Sequence, residues 1–311
     1  MISQRPTARR LKLWLLPLIC LLSLIALSSA ARPHAQQDDE VVRVNSDLVV
    51  LNVTVTNRQG EYVHGLKQTD FKIFEDGREQ TIAGFGEEAT PFAAALLLDI
   101  SGSMEGRISL ARSAAIRFLD GLRTDDTVAV YSFHSDVRQV QDFEFTRDLD
   151  PLVFGLNANG MTVLNDAVLH AAHDLAARPE KRRAIVVLSD GADTHSAASA
   201  DKALNAALAA NATIYTVDLS DRNAPKSETA AGSGALSHFA THSGGRYLPT
   251  PGGRELQDAF AAVVEELSNQ YTVSYRPTNH ARDGRWRTIE IKLARPDANA
   301  RTRRGYRAPK N

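Results

Sequence analysis

Cysteine is almost missing from this chain: 311 residues contain one, Cys20, which lies in an apolar stretch near the amino end. No disulfide can therefore form within the chain, and any assignment to an oxidising compartment has to rest on other signals. An excess of one charge is missing too, since 36 Lys and Arg stand against 37 Asp and Glu. Arg5, Arg9, Arg10 and Lys12 fall within the first 30 residues with no acid among them, so the body of the chain is mildly acidic. Such a body lacks the electrostatic footprint of a nucleic-acid-binding protein. The basic tail Arg301, Arg303, Arg304 and Arg307 reads as a solvated chain end. Catalytic signatures are sparse as well. No Gly-x-Ser-x-Gly elbow occurs, and Ser103 has no histidine tied to it by position. His238 and His242 have the i, i+4 spacing of a zinc pair, but Phe239 stands where a metalloprotease needs Glu. Leu236, Phe239 and Ala240 account for that segment as a packed helix with two exposed histidines.

What is present is ordinary globular material, 43% hydrophobic and 23% charged. Residues 1–31 read as a signal peptide: a basic start, an apolar run from Leu13 to Leu27, then Ser28-Ser29-Ala30-Ala31 for cleavage. That run is about 15 residues long, short of the roughly 20 that span a bilayer. An uncleaved anchor is the alternative, and the basic flank would still leave the body outside the cytoplasm. The residues before Cys20 are Pro17-Leu18-Ile19, without the small residue expected before a lipidated cysteine. The body is therefore expected to be exported: periplasmic, in the cell envelope, or secreted.

Residues 32–40 are a polar linker. From Val41 the chain alternates, with Val49, Leu51, Val53 and Val55 on one face and Asn52, Thr54 and Thr56 on the other, the period of a half-buried antiparallel strand. Phe71 to Glu75 and Gln80 to Phe85 extend this into a small β segment over 41–89, thin for a self-sufficient core. From 90 to 268 strands alternate with amphipathic helices, which implies a doubly wound, mostly parallel α/β sheet covered on both faces. Within it, a polar loop is expected around Ser220–Ser233, a short helix from Leu236 to His242, and a final helix from Arg254 to Leu267. Residues 269–311 return to alternation at Tyr271, Val273 and Tyr275, and again from Thr288 to Leu293. Neither β segment suffices alone, so the two are expected to pair into one β-sandwich-like domain with the α/β domain inserted.

The chemistry gathers at strand ends. The apolar run Ala93–Leu98 stops at Asp99-Ile100-Ser101-Gly102-Ser103, a carboxylate and two hydroxyls at alternate positions. Hard oxygens with little negative charge suit Mg²⁺ in a site that keeps an open position. In an open α/β sheet the ligand belongs at the carboxyl ends of the strands. Thr162 stands on a loop before a helix, where by itself it would serve as an N-cap. Asp190 follows the strand Ala184–Ser189, where Asp190-Gly191 by itself would be a turn. Three loops of one domain, each bringing hard oxygens, form a far more specific signal than any one of them. Asp166, Asp193 and His195 lie near this set, and each reads equally as a residue that supports it or as a solvated loop residue.

With these motifs, residues 90–268 resemble a von Willebrand factor type A domain, and Asp99, Ser101, Ser103, Thr162 and Asp190 match its metal-ion-dependent adhesion site. The flanks Asp70-Phe71, Phe74-Glu75-Asp76-Gly77 and Tyr275-Arg276-Pro277 extend the likeness to the exported bacterial proteins, abundant in acidobacteria, that carry a related domain. Met161 departs from the pattern, since a Gly often precedes the Thr. The resemblance implies Mg²⁺ (or Mn²⁺ or Ca²⁺) held directly by Ser101 and Ser103. Asp99 and Asp190 would act largely through water, and Thr162 directly or through water. It also implies a protein partner whose Asp or Glu completes the coordination sphere, helped by the amino ends of the helices after Ser103 and Thr162. In relatives the last helix can shift with ligation. The function expected is thus an exported, non-enzymatic, metal-dependent adhesion module. The rival readings are an envelope scaffold with a structural metal site and a metal-assisted hydrolase.

Overall fold

The computed structural model describes residues 48–86, 90–145, 148–191, 193–220, 226–250 and 253–310. The expected signal peptide 1–31 and linker 32–40 lie outside the described residues. No described helix is long and apolar enough to cross a membrane.

The α/β domain is built on a six-stranded sheet. Its strands are β5 (Phe92–Asp99), β6 (Thr127–Phe133), β7 (Val137–Glu144), β8 (Arg182–Ser189), β9 (Ala212–Asp218) and β10 (Tyr247–Pro249), in the order β10-β9-β8-β5-β6-β7. All pairs are parallel except the edge hairpin β6–β7. Helices α1 (Ile108–Asp120) and α5 (Gly253–Ser268) pack on one face; α2 (Leu164–Ala176), α3 (Ala200–Ala209) and α4 (Lys226–Ser243) cover the other. All eight residues of β5 are buried, because a central parallel strand meets helices on both sides. That is why it reads as a continuous apolar run rather than an alternation. The doubly wound sheet expected from the strand–helix alternation is the one observed.

The flanking β segments form two four-stranded sheets. One has the order β13-β1-β11-β4, from β13 (Ala298–Arg301), β1 (Val49–Asn57), β11 (Tyr271–Tyr275) and β4 (Ile82–Gly86). The other is β14-β12-β2-β3, from β14 (Gly305–Arg307), β12 (Trp286–Leu293), β2 (Phe71–Glu75) and β3 (Arg78–Gln80). Each sheet draws strands from both ends of the chain, as in Val53 opposite Tyr271 and Ile73 opposite Ile291. Between the sheets lies an apolar core in which the rings of Phe71, Phe85 and Tyr271 pack with centroids 5.4 to 5.8 Å apart. The chain leaves this sandwich at β4 and re-enters at β11, and these two strands are antiparallel neighbours, Phe85 opposite Val273. Entry and exit side by side let a whole domain be inserted without disturbing the host.

Three expectations need correction. The polar face of β1 is not solvated: Asn52 donates to Asn211 and Thr213, and Thr54 to Glu266, so this face packs on the α/β domain. The stretch expected as a loop up to Ser233 becomes helical from Lys226. Its Ala, Gly and Ser residues have no apolar period, yet their small size lets α4 lie close against the sheet. The basic tail is not a solvated end either. Arg303 is buried, and Arg301 reaches the buried carboxylate of Glu266 at 2.6 Å.

Candidate functional site

The carboxyl edge of the six-stranded sheet gathers three loops. Asp99 ends β5 and is fully buried; its Oδ1 accepts from the backbone N–H of Ser101 at 2.8 Å and its Oδ2 from the Ser189 hydroxyl at 2.5 Å. Burial pushes its carboxyl up to about 6, against the pull of the Ser101 and Ser189 hydrogen bonds; the nearby charge of Asp190 adds to the rise. After Asp99 the chain makes a single 3₁₀ turn, Gly102–Met104, which brings Ser101 and Ser103 to the same side, their hydroxyl oxygens 3.0 Å apart.

The second loop is stitched to the first by Asn159 N–H to Ile100 carbonyl, 2.9 Å, and Gly102 N–H to Gly160 carbonyl, 3.1 Å. Thr162 follows and is buried. It is not the cap of α2: the N-cap position is Val163, and no side chain caps there. The Thr162 backbone is instead held from the third loop. Its N–H donates to the Thr194 hydroxyl at 3.0 Å, and its carbonyl accepts from Thr194 and His195 N–H groups at 2.9 and 3.0 Å. Its own hydroxyl bonds to no other described residue, so it remains available to a ligand. Asp190 leaves β8 beside Asp99. The turn after it requires glycine: Gly191 has φ +79°, and a Cβ there would stand 2.3 Å from the Gly232 carbonyl oxygen. The Ser220 hydroxyl donates to the Asp190 carbonyl at 3.2 Å.

All five expected residues thus lie on three loops that hydrogen bonds lace together. Their donor chemistry suits a small hard cation. At the Mg–O distances of about 2.0–2.1 Å found for that ion, neighbouring ligands of an octahedron stand about 3 Å apart. The Ser101 and Ser103 oxygens already have that spacing, and the buried Asp99 carboxylate is a charge that a cation would compensate. Among the described residues, no group of three or more His, Cys, Asp or Glu is placed to hold a metal, so a metal here would depend on hydroxyl ligands.

Sequence reasoning missed Ser189, Thr194 and Ser135. Ser189 holds Asp99; Ser135 accepts from the Met161 N–H at 3.1 Å beneath the second loop. Only the strand register, in which Leu188 lies opposite Leu98, brings Ser189 beside Asp99. Asp193 and Asp166 are not solvated loop residues: they bind loop to helix. Asp193 accepts from the Asn165 N–H at 2.8 Å, and Asp166 from the N–H groups of Ala197 and Ala198, both at 2.8 Å. The amino end of α2 is therefore partly occupied by Asp193, which weakens its expected pull on an incoming anion. His238 and His242 flank the buried Phe239, with ring centroids 4.1 Å apart and both half-exposed. His170 of α2 has Asp174 one turn on at 3.4 Å.

With this geometry in place, residues 94–192 match the von Willebrand factor type A domain family, a span that begins within β5 and includes all five candidate residues. The α/β domain that contains this matched span is set into a β-sandwich. Comparison with curated proteins returns no match. Among solved structures it is similar to a von Willebrand factor type A protein from Catenulispora acidiphila, with 14% identity, a TM-score of 0.48, and coverage of 86% of this chain and 75% of that one. It is also similar to the vWF domain of the type V pili tip protein Mfa5 from Porphyromonas gingivalis, at 14% and 0.48, covering 57% and 95%. For the PilB minor pilin from Streptococcus sanguinis the values are 14% and 0.46, covering 61% of this chain but only 63% of that one.

Proposed function

We propose that this protein is an exported binding module that captures an acidic side chain of a protein partner through a divalent cation, Mg²⁺ by chemistry, at the carboxyl edge of its sheet. The observation that carries this reading is the pair of hydroxyls, Ser101 and Ser103, held 3.0 Å apart beside a fully buried Asp99. Ser101, Ser103 and the unengaged hydroxyl of Thr162 would hold the ion, while Asp99 and Asp190 supply negative charge. When bound, the cation supplies a Lewis-acidic centre with a position open to an incoming carboxylate oxygen. Asp99 is held by Ser101 and Ser189, which fixes where its carboxylate sits. Met161, 52% exposed beside Thr162, offers an apolar contact at the rim for the residue next to the partner's acid. The basic, apolar and small-residue pattern of residues 1–31 supports export.

Calorimetry with Mg²⁺ and with Mn²⁺ tests the ion site directly. One equivalent should bind, and an ion at a hundred times its Kd should raise the unfolding free energy by about 2.7 kcal/mol. Asp99→Ala and the Ser101→Ala/Ser103→Ala pair should abolish both effects while circular dichroism stays unchanged. Capture of an envelope protein that survives both EDTA and Asp99→Ala would instead favour the scaffold reading, with the sandwich as the interface.

A further inference from the structure

A cavity lies away from the three loops, where the end of α3 meets the sandwich. Arg303 lines it and is only 7% exposed. Its Nη1 donates to the Leu208 carbonyl in the last turn of α3 at 2.7 Å, and its Nη2 to the Val50 carbonyl at 3.0 Å. Those carbonyls, one of them at the negative end of a helix, offset part of the guanidinium charge. Yet among the described residues no carboxylate is bonded to Arg303, and its Nε has no hydrogen-bond partner. Burial without a neighbouring acid holds the group down, at about 10.

The cavity measures about 320 Å³. Leu48, Leu208 and Pro309 give it apolar walls; Arg282 and Arg307 add to the cationic side, and none of the described residues lining it is acidic. Buried guanidinium groups normally pair with an anion, and the planar fork of Arg matches a carboxylate. The size lies at the low end for small-molecule sites, and the apolar walls favour a ligand with a hydrocarbon body. We propose that this cavity is a binding site for a small apolar carboxylate, an aryl- or alkyl-carboxylic acid whose acid group meets Arg303 and whose body lies against Leu48, Leu208 and Pro309. This site is independent of the metal-dependent reading of the sheet edge.

The test is calorimetry on the full chain in EDTA, at neutral pH, with 4-phenylbutyrate and its uncharged amide as probes. The acid should bind saturably at one site, about tenfold or more tighter than the amide, since a charge-assisted hydrogen bond is lost with the amide. Arg303→Met should abolish the preference. Because Arg303 also ties β1 to α3 and its loss could unfold the chain, a second variant keeps it: Ala209→Trp, on the exposed end of α3, fills the cavity. It should weaken the acid at least tenfold with an unchanged Tm. Equal affinity for acid and amide, no heat of binding at millimolar acid, or binding unaffected by Ala209→Trp would each overturn the proposal. So would binding of inorganic phosphate alone.

Discussion

Gly191 carries a constraint that no other residue type meets. With φ at +79° and the Gly232 carbonyl 2.3 Å from where its Cβ would stand, Gly191→Ala meets both backbone strain and a backbone clash. It should cost about 3 kcal/mol or more in urea unfolding. Gly60→Ala, at φ +86° but with nothing within 4 Å, provides the control and should cost only about 1 kcal/mol. Comparable losses for the two would mean that α4 does not press on the Asp190 loop. At this scale Asp99 and Asp190 were legible as candidates because a carboxylate at the end of an apolar run is conspicuous, Ser101 and Ser103 because they follow Asp99 at alternate positions, and Thr162 because its hydroxyl stands on a loop before a helix. Ser189 and Thr194 were not, since their roles depend on a neighbouring strand and a neighbouring loop. The position of Asp99 follows from Ser189, and that of Thr162 from Thr194, as much as from their own motifs.

The last helix, α5, is tied down at its carboxyl end. Glu266 is 1% exposed and accepts from the Thr54 hydroxyl of β1 at 3.1 Å and the Tyr215 hydroxyl of β9 at 2.9 Å, while Arg301 of β13 meets its other oxygen at 2.6 Å. Gln270 completes the network by donating to Thr54 and Tyr215. Any shift of α5 that follows ligation has to break this contact, so the sandwich acts as an anchor for the helix. Glu266→Gln should destabilise the protein by about 2–4 kcal/mol, since it leaves Arg301 without its charge partner. The lower part of that range is expected because the Arg301 side chain is 36% exposed. Equilibrium denaturation of Glu266→Gln, Arg301→Met and the double variant measures this, and strict additivity would mean that the pair is uncoupled. Helix α5 itself was legible from its strong apolar face, whereas only the Leu236–His242 part of α4 was, because close packing of small residues over its first turns leaves no periodic trace.

For the molecule as a whole, the inserted domain holds its own six strands while the host depends on both chain ends. Ending the chain at Ser268 removes β11 to β14, the partners of β1, β2 and β4. Limited proteolysis of that truncated chain should cut freely within residues 48–86 and spare the α/β domain. Protection of 48–86 would show that four strands form a core by themselves, against the small apolar area that such a unit can bury.

The sequence by itself determined the inserted α/β domain, its strand-end oxygens and the need of the two flanking segments for each other. These are consequences of local pattern: a buried parallel strand has to be apolar throughout, and a half-covered strand has to alternate. Tertiary structure decided what pattern does not encode. It turned the polar face of β1 inward against Asn211 and Glu266, and it drew Arg301 and Arg303 out of an apparently solvated tail into the junction between domains. A polar side chain looks the same in sequence whether water or a buried partner satisfies it. Only the fold supplies the partner.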